Sequence, residues 1–276
     1  MYNSSYKLVG IKDEKSFYTM KLYNTLLIIL GLVIPVVISY LAFAQVTILH
    51  GDQAAHYVLA TAMWNENSMI PHLFNYGNQL ILIRNNIFIA LALGLGFSGY
   101  EAYFVGATVA LVFWFFVIYM SLYSVNKSLR NSLLVVSTVF LLLLLNGASR
   151  DYIITQQSHL ANVALAFVFI SQFYKFITER QKISFILSIL TICLIALEEP
   201  ARAYLILAPF LLGITLIFGL RKIYKPVLLG MPFIIAAIII NKVIDHNISR
   251  AYKIWYSHFN KGYNKKLFAL FRVYKK

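Results

Sequence analysis

The sequence predicts an all-α, polytopic integral membrane protein. It is expected to have about seven transmembrane helices, one short re-entrant or interfacial helix and a cytoplasmic amino terminus. Three observations predict this. The 276-residue chain is 60% hydrophobic and only 12% charged, whereas soluble domains hold roughly 25% charged residues. Mean hydropathy is +0.73, and apolar runs approaching the length of about 20 residues that a bilayer demands recur along the chain. Many of the cations behind the net charge of +14 fall in the short turns between those runs, where cations orient a protein in its membrane. Such basicity would suggest nucleic acid in a soluble protein, and no nucleic-acid partner is expected here. The single cysteine, Cys193, lies within an apolar run, cannot form an internal disulfide, and reads as a small buried hydrophobe.

Residues 1–22 are polar and net positive. The run 25–44 ends in Ala42-Phe43-Ala44, which imitates a signal-cleavage site. It exceeds a signal peptide's apolar core of about 7–15 residues, so 24–46 is read as an uncleaved first span. A polar and aromatic loop, 47–86, follows. Within it His56, Leu59, Met63 and Glu66 recur at helical spacing, which puts Asp52 and His56 on one face of a helix over 52–66. Such a helix would lie at the membrane interface. The apolar segment 87–98 is too short to cross comfortably and is expected to be half-length or re-entrant. Further spans are expected at 102–123, 132–146, 158–177, 183–197, 203–220 and 226–240, the last extendable to 244, with 147–157 a loop. Residues 1–244 thus form one membrane-embedded domain, and 245–276 a basic, aromatic tail.

The charges orient this arrangement. With the amino terminus in the cytoplasm, the cytoplasmic segments hold twelve Lys or Arg residues and the outer ones before 245 hold four, Arg84, Arg150, Arg202 and Lys242. That asymmetry is the positive-inside bias. The tail carries eight more, which implies a further crossing or contact with anionic lipid. Gly94-Leu95-Gly96-Phe97-Ser98-Gly99 matches a dinucleotide fingerprint by letter only. It follows no strand and lies in an apolar segment, so its glycines are read as close-packing.

Three stretches carry residues suited to chemistry. Asp52 can accept or steer a hydroxyl proton when partly desolvated, and it equally suits a helix N-cap. Glu198-Glu199-Pro200-Ala201-Arg202 sets three ionisable residues between two apolar runs, a functional signal at a membrane edge. Arg202 could grip a phosphate in a fork of hydrogen bonds; the plainer reading is a polar turn in which Glu and Arg pair. Arg150, beside Asp151 and Tyr152, offers a second phosphate contact. Asp52 with Glu198 or Glu199 offers oxygen ligands to a divalent metal, although no metal-site spacing demands one.

The outer-loop stretch Gly51-Asp52-Gln53-Ala54-Ala55-His56, its continuation Asn75-Tyr76-Gly77-Asn78-Gln79, and the turn Glu198-Glu199-Pro200-Ala201-Arg202 with its following apolar span together resemble the GT-C superfamily of membrane glycosyltransferases. Relatives include protein O-mannosyltransferases and bacterial lipid-A aminoarabinose transferases. The resemblance implies a polyprenyl-phosphate-linked sugar as donor and a lipid or cell-envelope polysaccharide hydroxyl as acceptor, at the outer face of the plasma membrane. It implies Asp52 as the catalytic or acceptor-orienting carboxylate, Arg202 on the donor phosphate, and His56, Glu198 or Glu199 lining the site. The sequence departs from the family in carrying Glu-Glu where an Asp-Gly or similar pair is expected, and in its length, which suggests a truncated member. Two rival expectations stand beside it: a transporter or flippase of lipid-linked sugar, and a non-catalytic truncated membrane protein. Transporters tend to repeat their halves, and no internal repeat is visible.

Overall fold

The structure is a computed structural model that describes residues 5–44, 51–71, 83–157, 159–219 and 223–244, with side chains from 18 onward except that of Asp52. The stretch Asn75–Gln79, Arg221, Lys222 and the tail 245–276 lie outside the described residues. Every regular element among the described residues is a helix: α1 (Ser5–Phe43), α2 (Gly51–Glu66), α3 (Asn85–Gly94), α4 (Gly99–Asn126), α5 (Leu129–Leu145), α6 (Gly147–Thr155), α7 (Leu160–Glu179), α8 (Lys182–Glu198), α9 (Pro200–Phe218) and α10 (Ile223–Ile244).

Five helices are long and apolar enough to cross a membrane: Tyr18–Phe43 of α1, α4, α7, α9 and α10. A sixth is added if α5 and α6, bent by 107° at Asn146, count as one broken span. The chain is therefore a multi-pass membrane protein. The runs 132–146 and 183–197, read as spans from composition, fall in α5 and α8, each of 17 residues. Such helices are about 25 Å long, short of a hydrocarbon core of roughly 30 Å. The segment 87–98 is half-length as expected, since α3 has only 10 residues.

Local chemistry sets the helix ends. The hydroxyl of Ser128 accepts the N–H of Asn131 and caps α5, and the side chain of Asn146 accepts the N–H of Ser149 and caps α6. Between α3 and α4, Gly96 (φ +94°) and Gly99 (φ +55°) occupy left-handed backbone with open space around them. Those two glycines serve the turn, not close packing. Gly94 does pack closely, beneath Trp64. So does Gly106 of α4, where a Cβ would lie 2.5 Å from the Cα of Ile89.

Contacts between helix ends order the bundle. The Tyr100 hydroxyl at the start of α4 donates to the Phe43 carbonyl at the end of α1. At the other end of α4, Lys127 Nζ lies 3.7 Å from Glu179 at the close of α7. Asn241 near the end of α10 donates its amide to the Leu197 carbonyl near the end of α8. The long helices α1, α4, α5, α7, α8, α9 and α10 thus run alternately between two ends, one where α1 finishes and one marked by Lys127 and Glu179. One core joins α1, α4, α5, α6 and the first half of α7; a second joins the second half of α7 to α8, α9 and α10. Helix α2 lies at the α1-finishing end. It buries Gln53, His56, Leu59, Ala60 and Met63 against α3, α4 and α10; of the stripe its periodicity predicts, His56, Leu59 and Met63 are buried and Glu66 is half-buried.

Candidate functional site: two buried polar networks at one end of the bundle

The first network grows from Pro200. A proline disfavours helical backbone at the residue before it, and Glu199 is extended at φ −150°, ψ 93°. That single residue closes α8 and opens α9, with Pro200 in the first turn, where its missing N–H is harmless. Glu198 is only 1% exposed. Its Oε1 accepts the Ile83 N–H at 3.0 Å and lies 3.7 Å from Nε of Arg84, itself 3% exposed. Arg84 Nη2 stands 3.5 Å from Glu199 Oε2, and Glu199 Oε1 is 3.2 Å from Arg202 Nε. Arg202 Nη2 completes the chain 3.2 Å from Nε2 of His159, at the start of α7. A guanidinium only donates, so His159 accepts at Nε2 and its ring proton sits on Nδ1. Two carboxylates and two guanidiniums offset one another, which is the condition for holding charges out of water.

The second network joins α2, α3, α4 and α6. His56 Nδ1 is hydrogen-bonded to Asn85 Oδ1. Asn85 Nδ2 donates to the Tyr103 hydroxyl (3.3 Å) and to the Gln156 carbonyl (3.2 Å), and Tyr103 donates to the Thr155 carbonyl (2.7 Å). His56, Asn85, Tyr103, Thr155 and Gln156 are all buried. Asn86, next in sequence to Asn85, faces the first network and α2: its Oδ1 accepts the Arg84 N–H at 3.2 Å, and its Nδ2 faces Met63 Sδ. Nearby, Gln157 donates to the Ala107 carbonyl at 2.6 Å. The side-chain oxygens of Gln156 and Gln157 and both polar atoms of Asn162 are buried with no hydrogen-bond partner among the described residues. Groups of that kind are costly in an apolar surround unless water or a polar ligand satisfies them.

Of the residues singled out by sequence, Glu198, Glu199 and Arg202 come together, and His56 lies in the adjoining network. The backbone of Asp52 sits one turn before His56 on α2, while its side chain lies outside the described residues. Arg150 pairs with its neighbour Asp151 at 3.2 Å, with 23% and 51% of the two side chains exposed. It stands about one turn before Thr155 and Gln156, the part of α6 that reaches the second network. The stretch 147–157, expected to be a loop, is the one-turn helix Gly147–Ser149 continuing as a π-helix, Arg150–Thr155. Asn146 supplies its cap, and insertions of this kind favour functional sites. Sequence reasoning missed Arg84, Asn85, Asn86 and Tyr103. The signal was present in Arg84-Asn85-Asn86, a charged and amide triplet directly before an apolar run. Among the described residues no three His, Cys, Asp or Glu side chains gather as a metal site.

Comparison with family models, curated proteins and solved structures finds no match to this chain.

Proposed function

We propose that the protein is a membrane glycosyltransferase. In this reading it moves a sugar from a polyprenyl-phosphate donor to a lipid or cell-envelope polysaccharide hydroxyl at the outer face. The observation that carries the proposal is the charge network of buried Arg84 and Glu198 with half-buried Glu199 and Arg202, because ionisable groups held at the edge of an apolar bundle are functional by default. The Lys and Arg asymmetry of the turns supports an outward orientation for this end. In the transfer, the acceptor hydroxyl oxygen attacks the anomeric carbon as the bond from that carbon to the phosphate oxygen breaks. The proton passes to the Asp52 carboxylate, and polyprenyl phosphate leaves against Arg202, with Arg150 as a second phosphate contact. His56, Glu198 and Glu199 line the site. Transfer by reconstituted protein from a polyprenyl-phosphate hexose to a lipid acceptor is the test. Asp52→Asn is expected to abolish transfer while leaving the melting temperature unchanged; full activity in that variant refutes the assignment.

A second reading, a flippase of lipid-linked sugar, is favoured by the helix breaks at Asn146 and Glu199, since transporters gather polar groups at broken helices. Movement of a labelled lipid-linked sugar between leaflets, with no glycosylated product, would select it.

A further inference from the structure

At the end of the bundle marked by Lys127 and Glu179, α9 finishes and α10 begins, and a groove of about 350 Å³ opens between them. Leu211 and Thr215 of α9 form one wall; Ile223, Tyr224, Val227, Leu228 and Met231 of α10 form the other. On α10 these residues recur four apart in two adjacent rows, 223-227-231 and 224-228, so they share one face of the helix. The wall from Ile223 to Met231 covers about 12 Å at 1.5 Å per residue. Apart from the hydroxyls of Thr215 and Tyr224, the lining side chains are apolar. A space of this size is in the range of roughly 300–1,000 Å³ that holds small ligands.

The groove lies beside uncompensated charge. Lys225 Nζ stands 5.9 Å from the centre of the Tyr224 ring, which sets an ammonium against the groove wall. Lys225 is exposed and makes no ion pair among the described residues. The same end carries Lys127, Arg130, Lys175, Arg180 and Lys182 against one described acid, Glu179. That acid is already engaged, 3.7 Å from Lys127. The rings of Tyr174 and Phe218, 6.1 Å apart, hold the ends of α7 and α9 together, so the cations that follow on α7 adjoin the close of α9.

An apolar slot beside an unanswered ammonium suits a molecule with an apolar tail and an anionic head. A neutral lipid would fill the slot and leave the charge unmet. A second copy of this chain would bring the same excess of cations against it. Basic residues at the edge of a membrane span draw anionic lipids. We infer that the α9–α10 groove holds one acyl chain of an anionic phospholipid whose phosphate meets Lys225. Glu198 and Arg202 stand at the opposite end of α8 and α9, so this site is separate from the proposed transfer site. It does not rest on the glycosyltransferase reading.

Native mass spectrometry of the full chain in detergent micelles, with added phosphatidylglycerol or phosphatidylcholine of identical chains, tests the site. Wild type is expected to retain phosphatidylglycerol about five-fold more tightly, the scale of one lysine near anionic lipid. Lys225→Gln is expected to cancel that preference and leave phosphatidylcholine binding unchanged. Leu228→Trp fills the groove and is expected to weaken both lipids. Leu229→Trp, similarly exposed but outside the lining, is expected to change neither. Equal retention of the two lipids by wild type overturns the inference, and that measurement needs no variant to fold. A preference that survives Lys225→Gln, or equal effects from the two tryptophans, overturns it as well. So does a polyprenyl phosphate that binds more tightly than phosphatidylglycerol and is lost in Leu228→Trp, which would make the groove a place for the donor.

Discussion

Glu198 offers the sharpest test of the charge network. It is the most deeply buried carboxylate among the described residues, and Arg84 is its buried partner at 3.7 Å. Removing one member of a buried pair costs about 3–5 kcal/mol, because the other is left uncompensated. Glu199 Oε2 remains 3.5 Å from Arg84, so Glu198→Ala is expected at the lower end, about 3 kcal/mol. Glu198→Gln keeps an oxygen for the Ile83 N–H and should recover about 1 kcal/mol of that loss, the net value of one hydrogen bond. Arg84→Met removes the cation that faces Glu198 and Glu199 and should cost about 3 kcal/mol. The double variant Arg84→Met with Glu198→Gln leaves neither charge alone in the apolar surround. Its loss should fall short of the sum of the single losses by about 1–3 kcal/mol. Reversible unfolding in mixed micelles, followed by circular dichroism, measures all four proteins. A Glu198→Ala variant within about 0.5 kcal/mol of wild type, the range of ordinary surface substitutions, would refute the buried pair. Strict additivity in the double variant would refute the coupling.

Four other outcomes follow from the same structure. Gly106→Ala should destabilise by about 1–3 kcal/mol, because its Cβ would meet the Ile89 backbone, which cannot swing aside. Gly230→Ala should cost less in the same melts, since only the tip of Ile189 obstructs it. Lys127 ends α4 at φ +56° with its side chain 62% exposed. Lys127→Gly should therefore be more stable than Lys127→Ala by about 1 kcal/mol, the reverse of the order inside a helix. In a Cys193→Ser background, a membrane-impermeant maleimide applied to intact cells should label Asn65→Cys and spare Lys127→Cys. Labelling of both from outside would overturn the alternation of the helices.

How much of this was legible beforehand depended on how far apart the cooperating residues stand. Periodicity marked the buried stripe of α2, and length alone marked α3 as half a span, because both are properties of one short window. The Glu198-Glu199-Pro200 turn was legible for the same reason: proline acts on the residue beside it. Composition alone left 132–146 and 183–197 less decided than the longer runs, because their helices stop at 17 residues. It misled at 147–157, whose Gly, Ser, Arg and Asp read as loop. A π-helix carries no periodic apolar signal, and its terminal carbonyls acquire a purpose only when Tyr103 and Asn85 arrive from two other helices.

Arg84 shows the limit most clearly. In sequence it is one outward cation among four. Its burial is matched by that of Glu198, 114 positions further on, and opposite charge nearby is what allows either to be held out of water. The same pairing explains why the Glu–Arg turn was ambiguous. Glu199 and Arg202 do pair locally, as the plainer reading held, but Glu199 also faces Arg84, and Arg202 also reaches His159. Two carboxylates in succession are therefore needed: one to meet the guanidinium from the α3 side, the other shared between Arg84 and the arginine on α9. A single acid at this turn would set one carboxylate against two guanidiniums. The doubled glutamate, seen in sequence only as an excess over simple neutralisation, is the mark of a second arginine brought in by the fold.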